Sequence, residues 1–177
     1  ILGTARGQVL AHTLGRAIKA WGYATTASFS VAPTTVGEGL IGAVSDAGEV
    51  LFLTPGGSLP GRGRTFAPPA GIVGGDSLLY VASRDQSLYA FRSDGAIAWR
   101  LRTNAPFAHA PMLVNGALLV TVPGTGLSSI DPATGAIRWS AKDVSGDVVG
   151  QRDGRLLVWN GSALMLLDPA RGDIIQQ

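Results

Sequence analysis

The sequence predicts an all-β chain assembled from tandem four-stranded antiparallel units, and three observations predict it. Two eight-residue stretches 40 positions apart, SDGAIAWR (93–100) and ATGAIRWS (133–140), share Gly-Ala-Ile-x-Trp. The 177 residues include 25 Gly and 10 Pro, which favours many turns over long helices. The apolar residues fall in short runs rich in Val, Leu, Ile and aromatics, punctuated by Gly, Asn-Gly and Asp-Gly, as strands are.

Aligning on the glycine of the shared phrase gives five anchors, Gly15, Gly57, Gly95, Gly135 and Gly172, spaced by 42, 38, 40 and 37 residues. An apolar stretch precedes each: QVLAHTL, EVLFLTPG, SLYAFRSD, LSSIDPAT and ALMLLDPAR. Upstream lies a second run, LIGAV (40–44), LLYVA (78–82), LLVTV (118–122) and LLVW (156–159). Further upstream are FSVAP (29–33), FAPP (66–69) and FAHAP (107–111), read here as first strands. After three anchors come Trp21, Trp99 and Trp139. Four strands in one order every ~40 residues is the pattern of a propeller blade. Blades stack face to face, so their middle strands lose the apolar/polar alternation of a half-exposed sheet. LLYVA and LLVTV show that loss.

Each anchor glycine is expected between the third and fourth strands, where a tight turn needs positive φ. Asp131 and Asp168, four residues ahead of their glycines, are placed to accept backbone N–H groups and fix the turn. The tryptophans are expected between blades, each with an indole N–H in need of an acceptor. The chain opens on ILGT, which matches the end of a second strand, so the units read as a partial blade over 1–28, then 29–65, 66–105, 106–145 and 146–177.

SLYAFRSDGAIAWR and LSSIDPATGAIRWS resemble the PQQ-like repeats of quinoprotein dehydrogenases and of the BamB-type outer-membrane assembly lipoproteins. The resemblance covers nearly the whole chain, with departures: GSLPGRGR (57–64) carries no Trp, Trp21 comes two residues late, and the last unit ends in IIQQ. Rings of such repeats close with about seven or eight blades. The reading is therefore a single propeller domain, an arc of about four and a half blades from a larger ring. A small self-closing ring, or association of two arcs, is the alternative.

Several function classes lose support. There is no cysteine, hence no disulfide, thiolate metal site or cysteine nucleophile. Net charge is only +2, with Lys19 and Lys142 the sole lysines, so nucleic acid is not implied. No apolar run approaches the roughly 20 residues of a transmembrane helix. GEGLIG (37–42) matches G-x-G-x-x-G, but a strand rather than a helix is expected after it, so it reads as a turn. Asn160-Gly161-Ser162 fits a glycosylation sequon yet lies at an expected hairpin turn.

Among candidate binding residues, Arg62 and Arg64 lie in GGSLPGRGR (56–64), read as a flexible loop with an anion-binding option. His109 in FAHAP is a candidate channel residue, and His12 takes a strand-end slot held by Leu53 and Phe91 elsewhere. Family enzymes hold a quinone with stacked Trp, calcium ligated by carboxylates, and often cysteines. Here the only glutamates are Glu38 and Glu49, and the tryptophans fall in the repeated packing slot. No catalytic, cofactor or metal residue is assigned. The resemblance then implies a non-catalytic, periplasmic or cell-surface scaffold for a protein or peptide, using loops 56–66 and 103–110 or an edge strand. A quinone-dependent dehydrogenase with its site outside this segment, or the extracytoplasmic sensor domain of a membrane protein, are the other readings.

Overall fold

The computed structural model describes residues 1–177 except Leu14, Arg16 and Ala17. The described residues form five antiparallel sheets and contain no helix. Blade I holds β1 (Leu2–Gly3), β2 (Gln8–His12) and β3 (Lys19–Ala24). Blade II holds β4 (Thr34–Val36), β5 (Leu40–Val44), β6 (Glu49–Leu53) and β7 (Gly61–Arg64). Blade III holds β8 (Pro69–Gly74), β9 (Leu78–Ser83), β10 (Ser87–Arg92) and β11 (Ile97–Arg102). Blade IV holds β12 (Met112–Val114), β13 (Ala117–Val122), β14 (Gly126–Ile130) and β15 (Ile137–Ala141). Blade V holds β16 (Asp147–Arg152), β17 (Arg155–Trp159), β18 (Leu164–Leu167) and β19 (Ile174–Gln176).

Every sheet is a meander in chain order. The first strands lie innermost, β4 against β8 and β13 near β16, and the fourth strands form the rim. Turns between strands one and two, and three and four, share one end of the arc, called here the turn end. The two–three turns and the inter-blade connectors share the other, the connector end.

Four apolar clusters fill the four junctions between successive blades. Alternate residues of one strand serve opposite junctions: Leu79 and Val81 of β9 pack toward blade II, Tyr80 and Ala82 toward blade IV. Both faces of β9 and β10 are thus covered, and their apolar runs need no polar alternation. Only the two end blades present an outer face, with Leu2 on blade I and Trp159 and Leu164 on blade V exposed.

Two expectations need correction. FSVAP, FAPP and FAHAP are mostly connectors, and the first strands begin at or after their prolines, at Thr34, Pro69 and Met112. Proline has no N–H to give a ladder and fixes φ, so it marks the entry to the strand and not its middle. Phe29 and Phe107 are buried in these connectors, but Phe66 is 74% exposed, so the three phenylalanines are not equivalent. The second correction is GGSLPGRGR: residues 61–64 are not loop but β7, paired residue for residue with β6 through Glu49↔Arg64 and Phe52↔Gly61.

Candidate functional site

The anchor glycines sit in the turns between third and fourth strands, with φ between 77° and 89°. In blade IV, Asp131 Oδ1 accepts N–H bonds from Ala133 (2.9 Å) and Thr134 (3.0 Å), and in blade V Asp168 Oδ1 accepts that of Ala170 (2.7 Å). Asp131 also pairs with Arg138 at 2.7 Å. That Arg138 bond, with the Thr134 N–H next in strength, holds the Asp131 carboxyl at about 2, below the usual carboxylate range.

Trp21, Trp99 and Trp139 are each committed to the following blade, whereas Trp159 of β17 is exposed. The indole N–H of Trp21 donates to the Pro55 carbonyl (2.6 Å), that of Trp99 to Pro132 (2.9 Å) and that of Trp139 to Pro169 (3.1 Å). Each ring lies on the next anchor glycine: a Cβ on Gly57 would stand 2.9 Å from Trp21 Cγ, and one on Gly135 2.7 Å from Trp99 Cε3. Gly172 meets Trp139 in the same way. The late Trp21 occupies the same register as the others, since Ala11↔Trp21 matches Ala90↔Trp99 and Ser129↔Trp139. A β-bulge precedes the slot in blades I, III, IV and V, and in blade V Gln176 stands where Trp would.

A second repeat escaped the sequence reading. Thr25-x-Ala27, Thr65-x-Ala67 and Thr103-x-Ala105 recur at blade spacing, directly after the fourth strands. Each threonine hydroxyl donates to the alanine carbonyl two residues on, at 2.8, 2.9 and 2.8 Å. Each threonine N–H donates to the carbonyl of the positive-φ residue of the two–three turn: Gly7, Gly48 and Gln86. These bonds turn the chain from rim to axis, and the T-x-A triplet was the signal available for finding them.

At the connector end, Asp46 ties blade II to its connector by accepting from Ser28 (2.5 Å) and from the hydroxyl of Ser30. Burial works to raise the Asp46 carboxyl, but the Ser28 and Ser30 bonds outweigh it and hold the group below its ordinary value. Asp85 Oδ2 accepts from the Phe66 N–H (2.7 Å) and the Tyr89 hydroxyl (2.8 Å). Burial, then that bond, pushes the Tyr89 phenol up to about 12.

The remaining candidates are dispersed. Arg62 lies on the rim strand β7, 2.9 Å from Glu49 Oε1 and 3.0 Å from the Tyr23 hydroxyl of blade I, so its charge is already engaged. Arg64, two residues on along the same strand, is exposed. His109 lies in the connector from blade III to IV with Nδ1 3.3 Å from Asp147, the first residue of innermost strand β16. The structure does not bring His109 and the arginines together. His12 pairs with Lys19, as Phe91 pairs with Ile97. GEGLIG forms the β4–β5 turn and the start of β5, and Asn160 Oδ1 accepts the N–H groups of Ser162 (3.0 Å) and Ala163 (2.8 Å) in the β17–β18 turn. Among the described residues no three carboxylate or imidazole groups gather as a metal site would need, and no helix is long and apolar enough to cross a membrane.

A cavity of about 530 Å³ lined by Glu49, Arg62 and Arg64 lies along β7, toward the connector end. Three cavities of about 360, 590 and 430 Å³ lie between the strand one–two turns and the three–four turns at junctions II/III, III/IV and IV/V.

A family model described as outer membrane protein assembly factor BamB matches residues 30–176. No curated protein matches the sequence. Among solved structures, BamB from Moraxella catarrhalis superposes with a TM-score of 0.78 at 17% identity, over 99% of this chain and 56% of that one. The computationally designed Ika8 protein superposes with a TM-score of 0.84 at 8% identity, over 98% and 56%. A chain of the mitotic checkpoint complex gives 0.72 at 12% identity, over 94% and 53%. The chain thus spans just over half the length of these structures, and at such identities they share its fold alone.

Proposed function

Because the chain belongs to the family of outer membrane protein assembly factor BamB, we propose that it is a non-catalytic scaffold that holds a protein or peptide partner during outer-membrane protein assembly. The observation that carries the reading is the family match across residues 30–176, four of the five blades. The packing agrees with it. Trp21, Trp99 and Trp139 serve as wedges between blades, each hydrogen-bonded into the next blade. The same membership supports a periplasmic or outer-membrane-associated location.

The test is deletion of the gene in its host, with the folded fraction of outer-membrane β-barrel proteins measured by heat-modifiable gel mobility. A fall restored by the full-length protein is expected, and unchanged barrels would overturn the assembly role. A quinone-plus-calcium titration followed by tryptophan fluorescence probes the catalytic side, where saturable quenching would overturn the non-catalytic reading.

A further inference from the structure

We propose that the turn end of the arc binds an extended, proline-rich polypeptide segment in polyproline II conformation, with a basic residue of that segment seated against Glu38 and Asp76. This rests on the scaffold reading above and adds the partner's place and conformation.

The three turn-end cavities form one groove. The II/III and III/IV cavities share Gly37, Asp76 and Ser77, and the III/IV and IV/V cavities share Asn115. The lining is poor in side chains: Gly37, Gly39, Gly74, Gly75 and Gly116 leave main chain at the surface. Gly37, Gly39 and Gly116 have φ of 57°, 117° and 72°, which keeps larger residues out. Between these glycines stand apolar surfaces, Pro55 at the first cavity, Pro132 at the second, half-buried Trp139 with Pro169 at the third, and the buried Tyr80 forms the floor of the second. Tyr80 is fixed by its hydroxyl bond to the Pro132 carbonyl (3.1 Å). Aromatic and proline ridges flanking shallow slots are the surfaces polyproline II ligands use.

The spacing selects that conformation. Stacked sheets lie roughly 10 Å apart, so successive cavities recur at about that interval. One polyproline II turn of three residues advances about 9.3 Å, whereas the same-face repeat of a β-strand advances only about 6.7 Å. A polyproline II segment therefore offers every third side chain to successive junctions, and a strand falls out of step.

Charge fixes one end. Glu38 and Asp76 are exposed at the II/III junction, and neither forms an ion pair among the described residues. In the neighbouring turn Arg92 and Asp94 carry opposite charges. At the other end Arg138 is paired with Asp131, and Arg171 sits in a turn that also carries Asp168 and Asp173. The unpaired charge at the II/III cavity is acidic, which a basic side chain complements, whereas the exposed Arg171 makes the IV/V end basic.

The probe is fluorescein-labelled Arg-Pro-Pro-Val-Pro-Pro-Val-Pro-Pro, titrated with the full-length protein and read by anisotropy. Saturable binding is expected. It should weaken about tenfold or more when the peptide Arg becomes Glu, when Glu38→Lys and Asp76→Lys are combined, or when Ala133→Trp fills the middle cavity. All three positions are exposed, so circular dichroism and melting temperature should stay unchanged. A peptide with Gly and Ser replacing the prolines should also bind more weakly. No saturable binding to millimolar peptide, or binding indifferent to these variants, overturns the groove. Equal affinity for the Gly/Ser peptide overturns the polyproline conformation. The two readings fail separately: barrels that depend on the gene, with no peptide binding, sink only the groove, while peptide binding with unchanged barrels sinks only the assembly role.

Discussion

Junctions I/II, III/IV and IV/V and the junction II/III solve one packing problem in two ways. At the first three, a fourth-strand tryptophan wedges onto the next anchor glycine, and the third-strand residue facing it is aliphatic: Leu53, Ile130 and Leu167. At II/III the tryptophan slot holds Gly61, and the facing residue is the fully buried Phe91. The aromatic mass has crossed from the rim strand of one blade to the third strand of the next. A Cβ on Gly61 would collide with the backbone of Ser93 and Asp94, and one on Gly63 would stand 3.0 Å from Phe91 Cδ1. Blade II also lacks the bulge that precedes the slot in the others. Two blades pack to core density when one side gives up the volume the other supplies.

The largest effect should come from removing the transferred aromatic. Phe91→Ala empties a fully buried site that also stacks on Tyr89 at 5.4 Å between centroids, and should cost about 3–5 kcal/mol in urea unfolding. Leu53→Ala, at the equivalent place in a junction that keeps its tryptophan, should cost less. Equal losses would mean that Phe91 does not stand in for a missing Trp.

Restoring the tryptophan tests the exchange from the other side. Gly61→Trp alone drives a Cβ into the Ser93–Asp94 backbone as well as overpacking the junction, and should cost more than about 3 kcal/mol. Combined with Phe91→Leu it should cost less than the sum, with a favourable coupling of about 0.5–3 kcal/mol. Strict additivity would show that the two positions do not share volume.

The two kinds of junction also differ in how far the sequence discloses them. The Trp-on-Gly junctions announce themselves, because a large residue and a positive-φ glycine recur at fixed spacing and each has a local physical reason. The II/III junction reads as a gap: GRGR looks like loop because two glycines and two arginines lack strand character, and β7 is held by pairing with β6 and by close approach to blade III. Propensity cannot report a contact with a turn some 30 residues away in sequence. FSVAP, FAPP and FAHAP misled for the opposite reason. Their phenylalanines share a pattern, yet Phe29 and Phe107 are buried and Phe66 is not, since burial is decided by the connector's path and not by its composition. The candidate site was least legible. Arg62, Arg64 and His109 stand out by type, but the groove is made of glycines, prolines and exposed carboxylates from three blades, which only stacking brings side by side.

A smaller effect separates the tryptophan junctions from each other. Trp→Phe keeps most of the wedge and removes the N–H donor, worth about 1 kcal/mol. The Pro132 carbonyl also accepts the Tyr80 hydroxyl, so Trp99→Phe leaves it satisfied. Trp139→Phe leaves Pro169 to water alone. Thermal melts should therefore rank Trp139→Phe below Trp99→Phe, and the reverse order would mean that the indole bond contributes nothing to the junction.

The smallest effect contrasts the turns of blades IV and V. Asp131 is held at about 2 by Arg138 and by backbone N–H groups, against about 3.9 in an unfolded chain. A depressed carboxyl stabilises the fold above the unfolded value and loses that contribution as pH falls from about 4 toward 2. Asp168 has the N–H bond of its turn but no arginine partner among the described residues. Asp131→Asn should therefore flatten the fall in urea midpoint between pH 5 and pH 2.5, and Arg138→Gln should flatten it nearly as much. The differences will be small because Asp131 lies in an exposed turn where solvent screens the pair. An unaltered slope in Asp131→Asn would show that the Arg138 pair closes the turn in geometry without adding to its acid sensitivity.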